Sequence, residues 1–171
     1  QIGLGHMYFL GQGVTQSDEE ALRWYQKAAD KNNPDAQSMV AGFYEEGKGT
    51  SKNQKVAVNW YRKAAEQGHA RSQLRLGVIY SFGLGVKTKH EEAVKWYRKA
   101  ADQGLDEAEY GLAVAYLNGT GFKKNPTEAI RWFRKAADQG YAPAQFNMGV
   151  RYVNGEGVAK KRSEAAKWFR K

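Results

Sequence analysis

Apolar and small residues recur along this chain every 36 residues, and each period contains two amphipathic segments. In the first segment an apolar residue is followed four positions later by tyrosine, which places both on one face of an α-helix. This spacing predicts a helix, here called helix A, that covers residues 35–46 in the second period. The apolar column, whose members stand 36 residues apart, is Leu4, Val40, Leu76, Leu112 and Met148, and the tyrosine column is Tyr8, Tyr44, Tyr80, Tyr116 and Tyr152.

A second apolar stripe, in the other half of each period, is built on tryptophan. Alanine, tryptophan and alanine stand three and four residues apart, as in Ala21, Trp24 and Ala28, which is the spacing of one helical face. The stripe predicts a helix B whose tryptophans form the core between repeats. These tryptophans are Trp24, Trp60, Trp96, Trp132 and Trp168, and each precedes another aromatic residue, Tyr25, Tyr61, Tyr97, Phe133 or Phe169.

A column of small residues lies beside the apolar column of helix A. Its members are Gly5, Ala41, Gly77, Ala113 and Gly149. Residues of this size predict that a partner helix approaches helix A closely there.

The ends of both helices are marked by residues that start or stop helices. Ser17 with Glu20 fits a capping box, and Asn125 followed by Pro126 fits an N-cap before a first-turn proline. Paired glycines predict a turn after each helix A, and Gly68, Gly104 and Gly140 end helix B, where the first repeat has Asn32-Asn33-Pro34. The paired glycines are Gly11/Gly13, Gly47/Gly49, Gly83/Gly85, Gly119/Gly121 and Gly155/Gly157.

A fixed period of this length is typical of repeat proteins, in which each unit buries its apolar face only against its neighbours. Short links between helices predict antiparallel neighbours, so each repeat is expected to be a helical hairpin. The chain is therefore predicted to be one α/α solenoid of about 4.75 repeats. The predicted repeats are residues 1–34 (start truncated), 35–70, 71–106, 107–142 and 143–171 (end truncated).

The repeated motif resembles the Sel1-like repeat. The best single copy runs from Ser72 to Gly104 as S-Q-L-R-L-G-V-I-Y-S-F-G-L-G-V and, later, A-V-K-W-Y-R-K-A-A-D-Q-G. The tetratricopeptide repeat fits less well, because its period is 34 residues and its tryptophan lies in the first helix. The resemblance covers essentially the whole chain and implies an all-α, right-handed superhelical solenoid that serves as an adaptor or scaffold in protein complexes. It also favours a bacterial origin with a periplasmic or secreted location.

The amino-acid composition argues against metal binding and enzymatic activity. The chain has no cysteine, and its three histidines, His6, His69 and His90, lack second ligands at metal-binding spacing. We therefore expect no metal, no cofactor and no enzymatic activity, and no stretch is apolar enough to cross a membrane. Some cysteine-rich relatives of the family are described as β-lactamase-like, but this chain lacks both their cysteines and an S-x-x-K motif.

The net charge of +9 makes an acidic partner worth considering, because basic residues recur on helix B. Stacked repeats would align them as a stripe that could bind nucleic acid or an anionic surface. Acidic residues three and four positions later predict intrahelical ion pairs that neutralise part of it, and they are Asp30, Glu66, Asp102 and Asp138. The basic columns are Arg62, Arg98, Arg134 and Arg170; Lys27, Lys63, Lys99, Lys135 and Lys171; and Arg23, Lys95, Arg131 and Lys167.

The positions that keep the same residue type in every repeat specify the fold. Residues that determine function are therefore expected at positions that differ between repeats. On helix A, the face away from the apolar and tyrosine columns varies between repeats, and concave helix A surfaces are what such solenoids use for binding. The sequence therefore predicts a groove for a polypeptide partner, apolar in its N-terminal part and polar in its C-terminal part. Its residues are Met7, Leu10, Met39, Phe43, Arg75, Ile79, Phe82, Asn118, Asn147, Arg151 and Asn154. The alternative is that Phe43, Ile79 and Phe82 pack between repeats.

The two ends of the chain fall inside a repeat and carry no polar capping helix. Gln1 aligns with Gln37 inside a helix A, and Lys171 aligns with Lys135 before the end of a helix B. Because solenoids need polar caps for solubility, we expect a segment of a longer array, or self-association end to end.

Overall fold

The structure is a computed structural model that describes residues 1–171, and it contains ten α-helices and no strand. The odd-numbered helices are the predicted helices A and the even-numbered ones are the helices B. Their bounds are α1 Ile2–Leu10, α2 Asp18–Ala29, α3 Pro34–Glu46, α4 Gln54–Glu66, α5 Ala70–Phe82, α6 His90–Ala101, α7 Asp106–Asn118, α8 Pro126–Asp138, α9 Ala142–Asn154 and α10 Arg162–Phe169.

The chain divides into two compact units. The first unit, residues 1–88, contains α1 to α5, and the second, residues 89–171, contains α6 to α10. Within each unit every helix packs against the next one along the chain, as short links between helices require.

The predicted helix ends are confirmed. Ser17 accepts a hydrogen bond from the backbone N–H of Glu20 at 3.2 Å, and Asn125 accepts one from Glu128 at 3.1 Å. Asn32, which stands where later repeats have glycine, adopts the left-handed conformation with φ of 66°. These caps satisfy backbone groups that the first and last helical turns leave without partners.

In the first three repeats the core of helix B is centred one residue later than predicted. Tyr25 and Phe133, which follow tryptophans, are 1% and 0% exposed, whereas the tryptophans Trp24, Trp60 and Trp96 are only half-buried. Trp132 and Trp168 are buried, at 6% and 8% exposure. The prediction that the tryptophans form the core is therefore wrong for three repeats, in which the tyrosine after the tryptophan is buried instead. In the fifth repeat the order is reversed, since Trp168 is buried and Phe169 is 48% exposed.

The small column of helix A makes room for that second aromatic. A Cβ atom built on Gly5 would lie 2.5 Å from Cε1 of Tyr25, and one on Gly149 would lie 2.3 Å from Cε1 of Phe169. Both distances are shorter than any real carbon contact, so the ring itself occupies the space of the missing side chain. The predicted close approach is confirmed, and it is made by an aromatic ring of the helix B that follows.

The second glycine of each pair from the second repeat on has a separate role between repeats. A Cβ on Gly49 would lie 2.5 Å from the carbonyl of Asp18, and one on Gly121 would lie 2.6 Å from the carbonyl oxygen of His90. In each case the turn after helix A rests on the first turn of the preceding helix B. At Gly49 and Gly121 the nearest atoms are backbone and have no side chain that could move aside, whereas at Gly85 and Gly157 they are side-chain atoms of Gln54 and Ile130.

Glutamine side chains join neighbouring repeats, and those of Gln37 and Gln73 are buried. The side-chain amides of Gln37, Gln73 and Gln145 donate to the carbonyl oxygens of Ala29, Ala65 and Ala137, at 3.3, 3.0 and 3.2 Å. Each bond satisfies a carbonyl near the C-terminus of a helix B, where helical partners are missing.

Glu109 holds the same position in the fourth repeat and is 4% exposed. An ionised carboxylate has no proton to donate to Ala101, which carries the equivalent carbonyl. Burial raises the pKa of the Glu109 carboxyl above its usual range, although the amide of Gln139, which donates to Glu109 at 2.9 Å, opposes this rise.

Replacing Glu109 with glutamine should therefore stabilise the protein at neutral pH, by about 1 kcal/mol for one recovered hydrogen bond. The unfolded state loses the Glu109 proton at lower pH than the folded state, so the native carboxyl weakens folding as pH rises above the usual glutamate range. The advantage of Glu109→Gln should be largest at pH 7 and shrink toward pH 4. Melting temperatures measured across this range decide it, and a constant difference would contradict the buried-carboxyl argument.

Candidate partner-binding surface

Four of the predicted groove residues in the first unit lie at its surface. Leu10 and Phe82 are 54% and 72% exposed, Met7 is 36% exposed, and Met39 is half-buried. Large apolar side chains with this exposure are candidates for contact with another molecule.

Phe43 and Ile79 belong to the core, contrary to the prediction that they are groove residues. Ile79 is 0% exposed, and Phe43 is 7% exposed with its ring 5.5 Å from that of Tyr25 and 5.6 Å from that of Phe9. The inward-facing stripe of helix A is wide enough to include them. They stabilise the fold and support the surface from below.

Arg75 is held within the protein. Its guanidinium donates twice to Glu45, with Nε 2.9 Å from Oε2 and Nη2 2.5 Å from Oε1. Burial opposes the charged form of Glu45, but hydrogen bonds from Arg75, Gln54 and Tyr61 outweigh it and lower the pKa of this carboxyl. Arg75 therefore links α5 to α3 through a charge-assisted pair, which leaves it little capacity for a partner.

The polar groove residues of the second unit differ in availability. Asn118 and Asn154 are exposed, and the Asn154 amide donates to Glu156 at 3.2 Å. The Asn147 amide donates to the Pro143 carbonyl at 2.9 Å, and the Arg151 side chain is 13% exposed and paired with Glu156. Asn118 alone has no internal partner among these four.

An apolar cavity of about 290 Å³ opens between α1 and α3. Tyr25 and Phe43 form its buried base, Phe9 and Met39 line it, and Gly42 leaves space beside them. Leu10, His6, Glu46 and Lys48 complete the lining. Sequence reasoning identified Leu10, Met39 and Phe43 here but missed Gly42, although its departure from the valine of later repeats was visible.

A polar cavity adjoins the apolar cavity, because His6 and Met39 line both. Its volume is about 490 Å³, and it is also lined by Ile2, Asp35, Ser38, His69 and Arg71. Together the two cavities form a continuous surface across α1, α3 and the start of α5.

Asp35, His69 and Ser72 lie in the order of a catalytic triad. His69 Nε2 is 3.4 Å from Asp35 Oδ1, and His69 Nδ1 is 2.8 Å from Ser72 Oγ. However, Ser72 is 0% exposed, and Nδ1 accepts a hydrogen bond from the Ser72 backbone N–H at 3.2 Å. This arrangement is an N-cap for α5, and a nucleophile needs access to substrate that Ser72 lacks.

The arginine column of helix B is bound to the tyrosine column of the next helix A. Arg62 donates to the hydroxyl of Tyr80 at 2.5 Å, Arg134 donates to that of Tyr152 at 2.8 Å, and Arg98 donates to that of Tyr116. The predicted ion pairs with Glu66, Asp102 and Asp138, four residues after these arginines, do not form. The arginines therefore connect repeats.

The lysines of helix B also contact other side chains of the protein. Each lysine that follows a tryptophan by three residues lies over its ring, with Lys27 and Lys63 at 3.9 and 4.0 Å from the ring centroids. In the third basic column Arg131 pairs with Glu128 at 2.7 Å and Lys167 with Glu164 at 2.8 Å. Most of the helix B stripe is therefore held by neutral tyrosine and tryptophan side chains, which leave its positive charge in place. Only the third column forms ion pairs, and such exposed pairs are individually weak.

No three histidine, aspartate or glutamate side chains converge in a way that could hold a metal ion. None of the helices combines the length and the apolar character that crossing a membrane requires.

The Sel1 repeat family model matches the chain five times, over residues 1–33, 34–69, 70–105, 106–141 and 142–171. A protective antigen of uropathogenic Escherichia coli, described as displaying an SLR fold, superposes with a TM-score of 0.97 at 36% identity, covering 99% of this chain and 36% of the antigen. A Sel1 repeat protein from Oxalobacter formigenes gives 0.94 at 36% identity, covering 99% of this chain and 67% of that protein.

Helicobacter pylori cysteine-rich protein B shares the fold at 24% identity, with a TM-score of 0.59 over 78% of this chain and 96% of that protein. A search among curated proteins gives no match. The comparisons confirm an all-α solenoid of helical hairpins, and the chain spans only about a third of the E. coli antigen.

Proposed function

Because this chain belongs to the Sel1 repeat family, whose members are generally scaffolds for protein–protein interaction, we propose that it is a non-enzymatic adaptor that binds a polypeptide partner on its helix A surface. One observation carries the proposal. Leu10 is exposed at the edge of a cavity with an aromatic base, and Phe82, which stands two repeats later in the same helix A position, is exposed as well.

The shape and chemistry of this surface favour a polypeptide over a small molecule. The apolar cavity is at the small end of the range for ligand pockets, and exposed side chains continue beyond it. A helix or an extended segment could place one side chain in the cavity and others along the helices A.

The histidines and acids of the first unit support a non-catalytic role. His69 caps a helix, and Glu45 fastens α3 to α5 through Arg75. These groups have structural tasks, so the site that remains is one of binding.

Binding of nucleic acid or an anionic surface through helix B is the alternative from the charge pattern. The arginines bind tyrosine hydroxyls and the lysines lie over tryptophan rings, which gives these side chains structural roles but leaves their positive charge in place. Titration against polyanions at rising salt separates the two functions, because phosphate contacts weaken steeply with salt.

Changing Leu10 or Phe82 to aspartate should weaken partner binding at least about tenfold while leaving the fold intact. Both side chains are exposed, so their loss removes little of the core. Proteins captured from a lysate of the source organism would be identified, produced recombinantly and titrated against each variant, with circular dichroism and melting curves alongside.

Asn59→Asp is the matched control, because Asn59 is exposed on a helix B of the same unit and the change adds the same charge. A partner that binds wild type and both helix A variants equally would exclude this surface. A partner lost only with Asn59→Asp would favour the helix B alternative.

A further inference from the structure

We propose that the apolar cavity receives one bulky apolar side chain of an acidic peptide segment, and that Gly42 is the residue that makes this repeat receptive. The inference rests on the proposed function and specifies the chemistry of the partner. It concerns α1, α3 and the start of α5, all in the first unit.

Gly42 stands in a column whose other members carry side chains. That column is His6, Gly42, Val78, Val114 and Val150. Glycine in the middle of a helix is unfavourable, and Gly42 does not have the positive φ that would require it.

Packing does not require glycine at this position either. A Cβ on Gly42 would meet only the hydroxyl oxygen of Tyr61, at 3.7 Å, which is an ordinary contact. Neither the backbone conformation nor the packing of the repeat therefore explains this glycine. Its effect is to leave space in the apolar cavity.

The walls suit an apolar side chain. Tyr25 and Phe43 present ring surfaces, and Met39 is flexible enough to adapt to different shapes. A cavity of about 290 Å³ that is open to solvent fits one large side chain better than a whole cofactor.

The charges around the two cavities favour an acidic segment. Lys48 pairs with Glu46 at 2.7 Å, whereas Asp35 lies 3.4 Å from His69, whose pKa is lowered by burial. Arg71 lines the polar cavity, is exposed and forms no ion pair. A carboxylate beside the apolar anchor would find its partner there, in a protein with a net charge of +9.

The test uses capped synthetic peptides with a central phenylalanine flanked by glutamates, compared with peptides that carry alanine for phenylalanine or lysine for glutamate. The chain has three methionines, so methyl NMR reports the site directly: Met39 lines the cavity, Met7 is outside it, and Met148 is buried in the second unit. We expect the glutamate–phenylalanine peptide to shift Met39 and to leave Met148 unchanged.

Replacing phenylalanine by alanine in the peptide should weaken binding at least about tenfold, as expected for an apolar side chain that is no longer buried. Gly42→Val should abolish binding with an unchanged or higher melting temperature, because it fills the cavity as later repeats do. Gly42→Ala should give an intermediate affinity. Arg71→Ala should remove the preference for glutamate over lysine and keep the preference for phenylalanine.

The matched control is Gly3→Val, which adds the same atoms on α1 where a Cβ meets nothing within 4 Å. The inference would be overturned if no phenylalanine peptide bound, or if Gly42→Val left peptide binding unchanged. The proposed function would still be tested separately by the Leu10 and Phe82 variants. Self-association that sedimentation shows to be lost in Gly42→Val would identify a second copy as the occupant and overturn the peptide proposal.

Discussion

Replacing Phe133 with alanine should lower the free energy of unfolding by about 3–5 kcal/mol, the usual cost of truncating a fully buried aromatic residue. Phe133 is 0% exposed, and its ring meets that of Tyr110 edge-on at 5.5 Å. The loss combines the apolar surface that is no longer buried with the cavity that truncation leaves behind. Urea titration followed by circular dichroism measures it as a lower midpoint at unchanged slope.

Trp96→Ala is the informative comparison, since Trp96 belongs to the sequence column that was expected to form the core. It is half-buried, so we expect a smaller loss, about 1–2 kcal/mol, in proportion to the area that it buries. A Trp96→Ala variant that is less stable than Phe133→Ala would restore the tryptophan column to the centre of the core.

Gly121→Ala should cost about 3 kcal/mol or more, whereas Gly104→Ala should cost about 1 kcal/mol. The two glycines have φ of 82° and 83°, so an added Cβ strains both backbones equally. At Gly121 that Cβ would lie 2.6 Å from the His90 carbonyl oxygen, but at Gly104 it meets nothing within 4 Å. The difference between the variants therefore isolates the contact between the turn and the preceding helix B.

Thermal and urea unfolding of the two variants side by side provide the measurement. Equal destabilisation would mean that backbone conformation alone accounts for the recurrence of the second glycine, and that the contact with α6 can relax at little cost.

Features that depend on spacing along the chain were predictable from sequence. The repeat period, the helix caps and the small column all express local geometry, and α3 begins only one residue before its predicted start. The family followed from the same columns, because some ten positions recur in phase.

Features that depend on the direction of a side chain were less predictable. Trp24 and Tyr25 are adjacent, and only packing decides that Tyr25 turns fully inward. Charge spacing suggested that Arg62 would pair with Glu66, but the tyrosine hydroxyl of the next repeat binds it instead. Sequence periodicity cannot distinguish an acid on the same helix from a hydroxyl on the neighbouring one.

On the candidate surface, too, the sequence did not determine which side chains are exposed. Leu10 and Phe82 are exposed as the groove hypothesis required, but Ile79, which belongs to the neighbouring variable column with Met7 and Phe43, is fully buried. A position that varies between repeats is not fixed by the repeat pattern, but this does not make it exposed. A core residue can also vary when the residues that pack against it vary with it.

The contacts that fasten the repeats together also bear on how the chain folds. The glutamine-to-carbonyl bonds join residues 8 positions apart and the arginine-to-tyrosine bonds join residues 18 apart, so both close short loops. Closing a short loop costs little chain entropy, and chains dominated by such contacts fold quickly. Each hairpin can therefore dock as soon as the next helix A leaves the ribosome, with no need for a distant partner.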